Sequence, residues 1–578
     1  MPAKGYFTFV LHAHIPYVLS HGKWPHGTDW LSEATAETYL PIIRVLRELI
    51  DEGVRPHLTV SLSPVLSEQL DDDSFKNEFA DYLEQKITAA RIDSEEFFKY
   101  DQKSLLEMSH FWEKYYLDTL ALFDSLDRNI LGEFRRLQDE GYVELMTCGA
   151  THGYFPLLSR DESLQAQVKA AVKTHSRHFG RPPRGIWLPE CAYRPAYPWK
   201  KPIDDGTSGE PYARKGAEEF LSENGIDFFI VDTSLLKGGK SAGVYIDRFE
   251  SLKVLWNQME KEFKPRAEEA EKSPRNIYLV ASTTEGKKPV AVFTRDPETG
   301  LLVWSGEHGY PGDGRYLDFH KKRFPGGHRY WAVTSSQADL ADKVEYSRQK
   351  AMARIPENAG HFAEVIEKLL RKHHADTGQT GILAAPYDAE LFGHWWFEGP
   401  EFLKEVLRRL SETDAVEMTP LAAHLDREEP VDMVTLPEGS WGQGGYHYIW
   451  LNKWTDWTWK HIYPAEDRMV ELAAKYKDSD NPLLIDIVNQ AARELMLMSA
   501  SDWQFLISTW SARDYAELRL SEHSADFSKL VELAEKIADG QTPSAGDLAF
   551  LNDCKDRDRL FVDIDLEWFA KVDYPAGK

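Results

Sequence analysis

Cysteine is scarce in this chain. Cys148, Cys191 and Cys554 are the only three, and they show neither paired nor metal-type spacing. That excludes a disulfide-stapled scaffold and suits a reducing cytoplasm. Positive charge is also short: 68 Lys and Arg stand against 94 Asp and Glu, for a net charge of -26. No basic stripe offsets it, so nucleic acid and anionic membrane are repelled and neither is an expected partner. A neutral polymer is not repelled. No apolar run reaches membrane-spanning length. Residues 1–5 lead straight into an apolar strand, without the charged, apolar and cleavage regions of an export signal. A soluble, cytoplasmic protein is expected, and no internal repeat is evident.

Aromatic residues, in contrast, are plentiful, with 18 Trp. Many must serve a large core, but indole and phenol faces also stack on the apolar faces of sugar rings. At 578 residues the chain exceeds one typical domain. Its first part alternates strand and helix: Phe7 to Leu11, then Glu37 to Glu52, then His57 to Leu62. Such β-α-β order predicts a parallel sheet or barrel. Residues 70–138 read as a helical insertion, and strands resume at Gly141 to Met146, Gly185 to Leu188, Asp227 to Val231 and Ile382 to Ala385. The segment 250–288 is charged and mixed and reads as a surface arm, and Lys237-Gly-Gly-Lys-Ser241 as a mobile loop. Beyond Pro464 the pattern is almost wholly helical. The expected class is α/β: a barrel over 1–415 containing the 70–138 insertion, and a C-terminal helical domain over 416–578.

Two segments carry a carboxylate where an apolar run stops. They are Gly185-Ile-Trp-Leu-Pro-Glu190-Cys-Ala-Tyr193 and Ala385-Pro-Tyr-Asp388-Ala-Glu390-Leu-Phe-Gly-His-Trp-Trp396. A run ending in an acid is what the C-terminal mouth of a barrel strand looks like, and two acids from two strands are the equipment for glycosidic cleavage. The first strand ends in His12-Ala-His14-Ile-Pro-Tyr17, whose period-two spacing sets both imidazoles on one face at the mouth. They suit a metal pair, completed from His152, His308, Glu190 or Asp388, or two neutral groups that orient a hydroxyl or a carboxylate.

Five segments, taken together and in this order, resemble the short regions of glycoside hydrolase family 57. They are His12 to Tyr17, Thr147-Cys-Gly-Ala-Thr-His152-Gly153, Trp187-Leu-Pro-Glu190-Cys-Ala-Tyr193, Pro386 to Trp396, and Trp441-Gly-Gln-Gly-Gly-Tyr446 through Trp450-Leu-Asn452. Within that family the chain is most similar to the 1,4-α-glucan branching enzyme group. The resemblance implies a distorted (β/α)7 barrel with a helical insertion and a C-terminal helical domain. It implies a retaining double displacement on α-glucan with Glu190 as nucleophile and Asp388 as general acid/base, no cofactor and no metal. It also implies a substrate groove shaped by His12, His14, Trp24, His152, Trp304, Trp396, Trp441, Trp450 and Asp502, with Trp503 beside it, in a chain acting as a monomer.

Glu390, two residues past Asp388, competes for the acid's place, and the family pattern favours Asp388. The chain departs from the branching pattern at one loop. Gly243-Val-Tyr245 is preceded by Ala242, where branching members usually carry a Tyr, so Tyr245 is the candidate lid residue. A lid that excludes water favours transfer over hydrolysis. The acids therefore predict α-glucan chemistry, with a branching transglycosylase first and an α-amylase or 4-α-glucanotransferase second. A metal-dependent hydrolase using His12 and His14 is the alternative from another class. A non-catalytic glucan-binding protein is disfavoured by the intact acids.

Overall fold

Alternation of buried side chains along the first strand sets the geometry of everything that follows. The computed structural model describes residues 4–574 except 205, 207, 208, 238–250, 252–271, 283–287, 307, 308 and 336. The Ala242–Tyr245 loop, most of the Gly/Lys/Ser loop and His308 lie outside the described residues. Strand β1 (Gly5–Ala13) sends Phe7, Phe9 and Leu11 to one side and Val10 to the other. The first set packs outward against helices, with Phe9 stacked on Phe362 at 5.8 Å. Val10 points inward with Thr8 and His12.

Six further strands complete the ring: β2 (Leu58–Leu62), β3 (Val143–Cys148), β4 (Gly185–Trp187), β5 (Phe228–Asp232), β6 (Val290–Arg295) and β7 (Gly381–Asp388). Each pairs in parallel with the next. The ring closes through Arg295 on β6 opposite Ala384 on β7, and through the full-length pairing of β7 with β1. The result is a seven-stranded parallel closed barrel. Its interior is filled by Val10, Met146, Trp187, Phe228, Ile230, Phe293 and Ile382, a packed core rather than a pore.

Two helical groups flank the barrel. The first follows β1 and β2: α1 (Leu40–Asp51), α2 (Pro64–Asp71), α3 (Asp73–Lys99), α4 (Lys103–Ser125) and α5 (Ile130–Asp139). Ser63 caps α2 by accepting from the Leu66 N–H at 3.4 Å, with Pro64 at the first helical position. Asp72 caps α3 in the same way. After β3, β6 and β7 come α6 (Asp161–Phe179), α7 (Arg348–Thr377) and α8 (Gly399–Ser411). The second group is C-terminal: α9 (Asp456–Tyr476), α10 (Pro482–Met498), α11 (Ser501–Thr509), α12 (Arg513–Ala538) and α13 (Ala545–Arg557). It is tied to the loop after β1, where the Arg519 guanidinium donates to the Tyr17 carbonyl at 2.6 Å and His21 meets Asp558 at 2.7 Å.

Three sequence expectations need correction. The C-terminal helical region starts earlier than the pattern beyond Pro464 implies: α9 begins eight residues before that proline, which sits inside it. Part of the expected surface arm is sheet: Tyr278–Val280 pairs antiparallel with β6 and buries Tyr278 and Val280. The strand Val416–Met418 pairs with β1, so the barrel sheet runs past residue 415.

One contact beside the barrel mouth permits no side chain. Gly393 has φ of 127°, and a Cβ there would lie 1.8 Å from the Glu37 carbonyl oxygen. Glu37 belongs to a π-helical turn, Thr35–Tyr39, of a kind often found at functional sites. Gly393→Ala is expected to destabilise the fold by about 3 kcal/mol or more, through backbone strain and a clash with main chain that cannot rotate away. Urea unfolding of the variant checks this, and a midpoint equal to that of the parent protein contradicts it.

Candidate active site

The inward face of β1 delivers His12 to the mouth of the barrel, and His14 follows two residues later. Register does the rest. His12 lies opposite Ser61 on β2, and its Nδ1 is 3.1 Å from the Ser61 hydroxyl. The same step of two brings His14 Nδ1 to 2.9 Å from Ser63, the residue that caps α2. His152, after β3, has φ of 60° and is aimed back across the mouth, its Nε2 3.1 Å from His12 Nε2. The N-terminus of α11 closes the cluster. His152 Nδ1 meets the Ser501 hydroxyl at 2.8 Å, and His14 Nε2 meets the Asp502 carboxylate at 3.0 and 3.1 Å. The rings are stacked, His14 on His152 at 4.0 Å and His12 on Trp187 at 4.7 Å.

Burial pushes His12 and His152 well below the ordinary histidine range, and the neighbouring His14 adds to this. Both are held neutral by this, and the hydrogen bond between them needs one Nε2 to donate and the other to accept. Burial also pulls His14 down, but the charge of Asp502 and its hydrogen bond outweigh it and raise the group overall. All six ring nitrogens of the three histidines therefore have a protein hydrogen-bond partner. A metal held by His14, His152 and Asp502, or by His12, Cys148 and His152, would have to displace them. Burial pushes the Cys148 thiol up, which makes it a poor ligand. The cluster fits hydrogen bonding better than metal ligation.

Glu190 stands just past β4 in a left-handed conformation, φ 61°, and Cys191 follows at φ 48°. Two successive non-glycine residues there represent strain, stored where a side chain must be aimed. Glu190 accepts from the Trp441 indole N–H at 2.7 Å, while the Trp441 amide donates to the Glu190 carbonyl at 3.1 Å. Trp441 is held edge-on by Trp187 at 5.2 Å and Trp304 at 5.6 Å, with the Arg295 guanidinium 5.6 Å from its ring. Burial pushes Glu190 up to about 7; the Trp441 hydrogen bond and the charge of His14 oppose this, and Asp502 adds to it.

Asp388 ends β7, level with His12. Glu390 is 4 % exposed and already engaged: it accepts from the His14 amide at 3.0 Å and from the Tyr39 hydroxyl. Burial raises its pKa. It braces the mouth, whereas Asp388 is the more open of the two.

A groove of about 1280 Å³ runs over this mouth. Ten of the residues singled out in the sequence line it: His12, His14, Trp24, His152, Glu190, Asp388, Glu390, Trp441, Trp450 and Asp502. Trp24 is the exposed one, 69 % accessible, beside Phe324 at 6.4 Å. Trp450 stacks on Tyr154 at 4.3 Å. Two do not line it. Trp304 is buried behind Trp441. Trp396 is a correction: it is buried among Phe402, Tyr316 and Phe392, and its neighbour Trp395 faces the groove instead. Tyr245 lies outside the described residues. Sequence reasoning missed Ser61 and Ser63, although Ser-x-Ser repeats the His-x-His spacing on the adjacent strand. It also missed Tyr39, Arg295 and Ser501, whose roles depend on contacts between distant segments.

Residues 8–437 match the family model described as glycosyl hydrolase family 57, and residues 461–569 match that of the 1,4-alpha-glucan branching enzyme C-terminal region. The chain is 42% identical over 560 residues to the 1,4-alpha-glucan branching enzyme TK1436 of Thermococcus kodakarensis, covering 96% of this chain and 77% of that one. The crystal structure of TK1436 in complex with glucose and additives superposes with a TM-score of 0.88 at 40% identity, over 99% of this chain and 98% of that one. The alpha-amylase AmyC of Thermotoga maritima superposes with a TM-score of 0.79 at 28% identity, over 99% of this chain and 100% of that one.

Proposed function

The chain belongs to glycosyl hydrolase family 57, and from that membership and the groove we propose that it is an α-glucan branching transglycosylase. It cleaves α-1,4 linkages and re-forms them as α-1,6 branches. The observation that carries this reading is that two carboxylates, Glu190 and Asp388, open from different strand ends into one aromatic-lined groove. Glu190 attacks the anomeric carbon while Asp388 gives its proton to the departing glycosidic oxygen. The shortened chain leaves, and a covalent glycosyl-Glu190 remains. Asp388, now ionised, takes the proton of an acceptor 6-hydroxyl as that oxygen attacks the anomeric carbon and Glu190 departs.

Surrounding groups support these roles. Trp441 fixes one Glu190 oxygen through its indole N–H. His14, drawn toward its charged form by Asp502, places positive charge near Glu190. Neutral His12 and His152 brace the mouth through their bonds to Ser61, to each other and to Ser501 without adding charge. Because every ring nitrogen is engaged, a metal-dependent hydrolase is not favoured. The substrate class is α-glucan of the glycogen type, recognised by stacking and hydroxyl contacts rather than by charge. A cytoplasmic monomer in glycogen synthesis fits the acidic surface and the reduced cysteines, and no described helix is long and apolar enough to cross a membrane. Residues 1–415 would carry the chemistry, with 70–138 inserted in them, and 416–578 would complete the groove.

The likeness to AmyC favours one second reading, in which water accepts the glycosyl group. Incubation with amylose separates the two. Branching is expected to release new side chains on isoamylase treatment with few new reducing ends. Reducing ends that accumulate without isoamylase-sensitive branches refute it.

A further inference from the structure

Beyond the groove, the C-terminal helices present aromatic rings that the proposed chemistry does not use. Trp510 ends α11 in the left-handed region, φ 57° and ψ 17°, where glycine is usual. Its ring is 53 % exposed. It leans on half-buried Trp454 with centroids 5.2 Å apart and planes at 47°. The Trp457 indole N–H donates to the Trp454 carbonyl at 3.1 Å and extends the surface. A core tryptophan would be buried, and a free surface position would not hold a bulky residue at positive φ.

The platform is built to be rigid. Asn452 Nδ2 donates to the Ser508 hydroxyl at 2.9 Å, and Ser508 donates to the Ile449 carbonyl at 2.6 Å. These bonds lock the segment carrying Trp454 to the helix carrying Trp510. The platform also continues the groove: Ser511 and Ala512, the next two residues after Trp510, line its wall, as do Phe505 and Leu506 of α11.

We infer that Trp510 and Trp454 form a second α-glucan binding site, at which a chain leaving the groove over Ser511 stacks its sugar rings. The site rests on the glucan reading of the groove. Exposed indole faces suit a neutral saccharide, the Lys453 ammonium 5.8 Å from the Trp454 ring centre can donate to its hydroxyls, and the net negative charge disfavours an anionic one. Stacking there holds long chains and leaves short ones, which end within the groove, unaffected.

Trp510→Gly tests this, because glycine removes the ring and relieves the strained backbone at the same time. The variant is expected to melt at or above the temperature of the parent protein and to turn over a short maltooligosaccharide unchanged. Its dissociation constant for amylopectin, read by affinity electrophoresis, should rise about tenfold, the usual scale for losing an aromatic anchor. Trp454→Ala should weaken amylopectin binding in the same direction. Unaltered retardation of Trp510→Gly by amylopectin overturns the site. The outcome is separable from the branching proposal: a parent protein that turned over no glucan would refute that function, while loss of amylopectin retardation on removing Trp510 would still support this site.

Discussion

Glu190→Gln is expected to reduce glucan transfer by about four orders of magnitude or more, and at the same time to stabilise the protein above pH 7. The first effect follows from chemistry, since an amide cannot form and release the glycosyl ester on the required timescale. The second follows from where the carboxyl sits. Its pKa is pushed from 4.5 up to about 7 in the fold. The folded protein therefore holds that proton more tightly than the unfolded chain does. The group favours folding below about pH 4.5, and this advantage is lost as pH rises through the window from 4.5 to about 7. A shift of that size is worth about 3 kcal/mol at full burial, and exposure to the groove lowers the expectation to about 2 kcal/mol. Glutamine keeps an oxygen for the Trp441 indole N–H and avoids the cost of ionisation. Urea titrations at pH 4 and pH 8 should show a gain only at pH 8, and equal stability at both would contradict the burial argument. An active variant would remove Glu190 from the mechanism.

Asp388→Ala carries the second large effect, and its size should depend on the substrate. With an unactivated glucan the leaving oxygen must be protonated as it departs. Loss of the acid is expected to cost about three orders of magnitude. With a glycosyl fluoride the leaving group needs no proton, and Glu190 can still be glycosylated at a substantial rate. Deglycosylation then lacks a base, so the intermediate should accumulate and be visible by intact-protein mass spectrometry. Equal losses on both substrates would argue against an acid/base role. The same test applied to Glu390→Gln separates the two neighbours. Glu390 is bound by the His14 amide and the Tyr39 hydroxyl, so its loss should disturb the position of His14 without dependence on the leaving group.

The legible parts of this molecule were those governed by local periodicity. Strand β1 announces itself because Phe7, Phe9 and Leu11 alternate with Thr8 and Val10, and the pattern stops in His12-Ala-His14. Glu190 and Asp388 stand out because acids rarely close apolar runs without a reason. Strand β6, Val290 to Arg295, escapes pattern reading because it adjoins a charged segment. Pro464 misleads in α9, where surrounding packing tolerates a residue that local propensity rejects. Trp395 and Trp396 show a harder limit. Adjacent, chemically identical side chains face the groove and the core, and only the 3-10 turn after Asp388 decides which goes where. Tyr39, Ser501 and Arg295 reach the site from segments remote in sequence, and no local pattern reports such meetings.

The last join made at the barrel mouth has a consequence for the order in which this protein becomes active. Under the proposed roles, both acids emerge from the ribosome well before Ser501 and Asp502. Until α11 docks, His152 lacks its serine and His14 lacks its counter-charge. A nascent chain, or one broken off before residue 501, holds Glu190 and Asp388 but no finished site around them. Under those roles, glucan transfer is expected only once α11 has docked, near the end of synthesis.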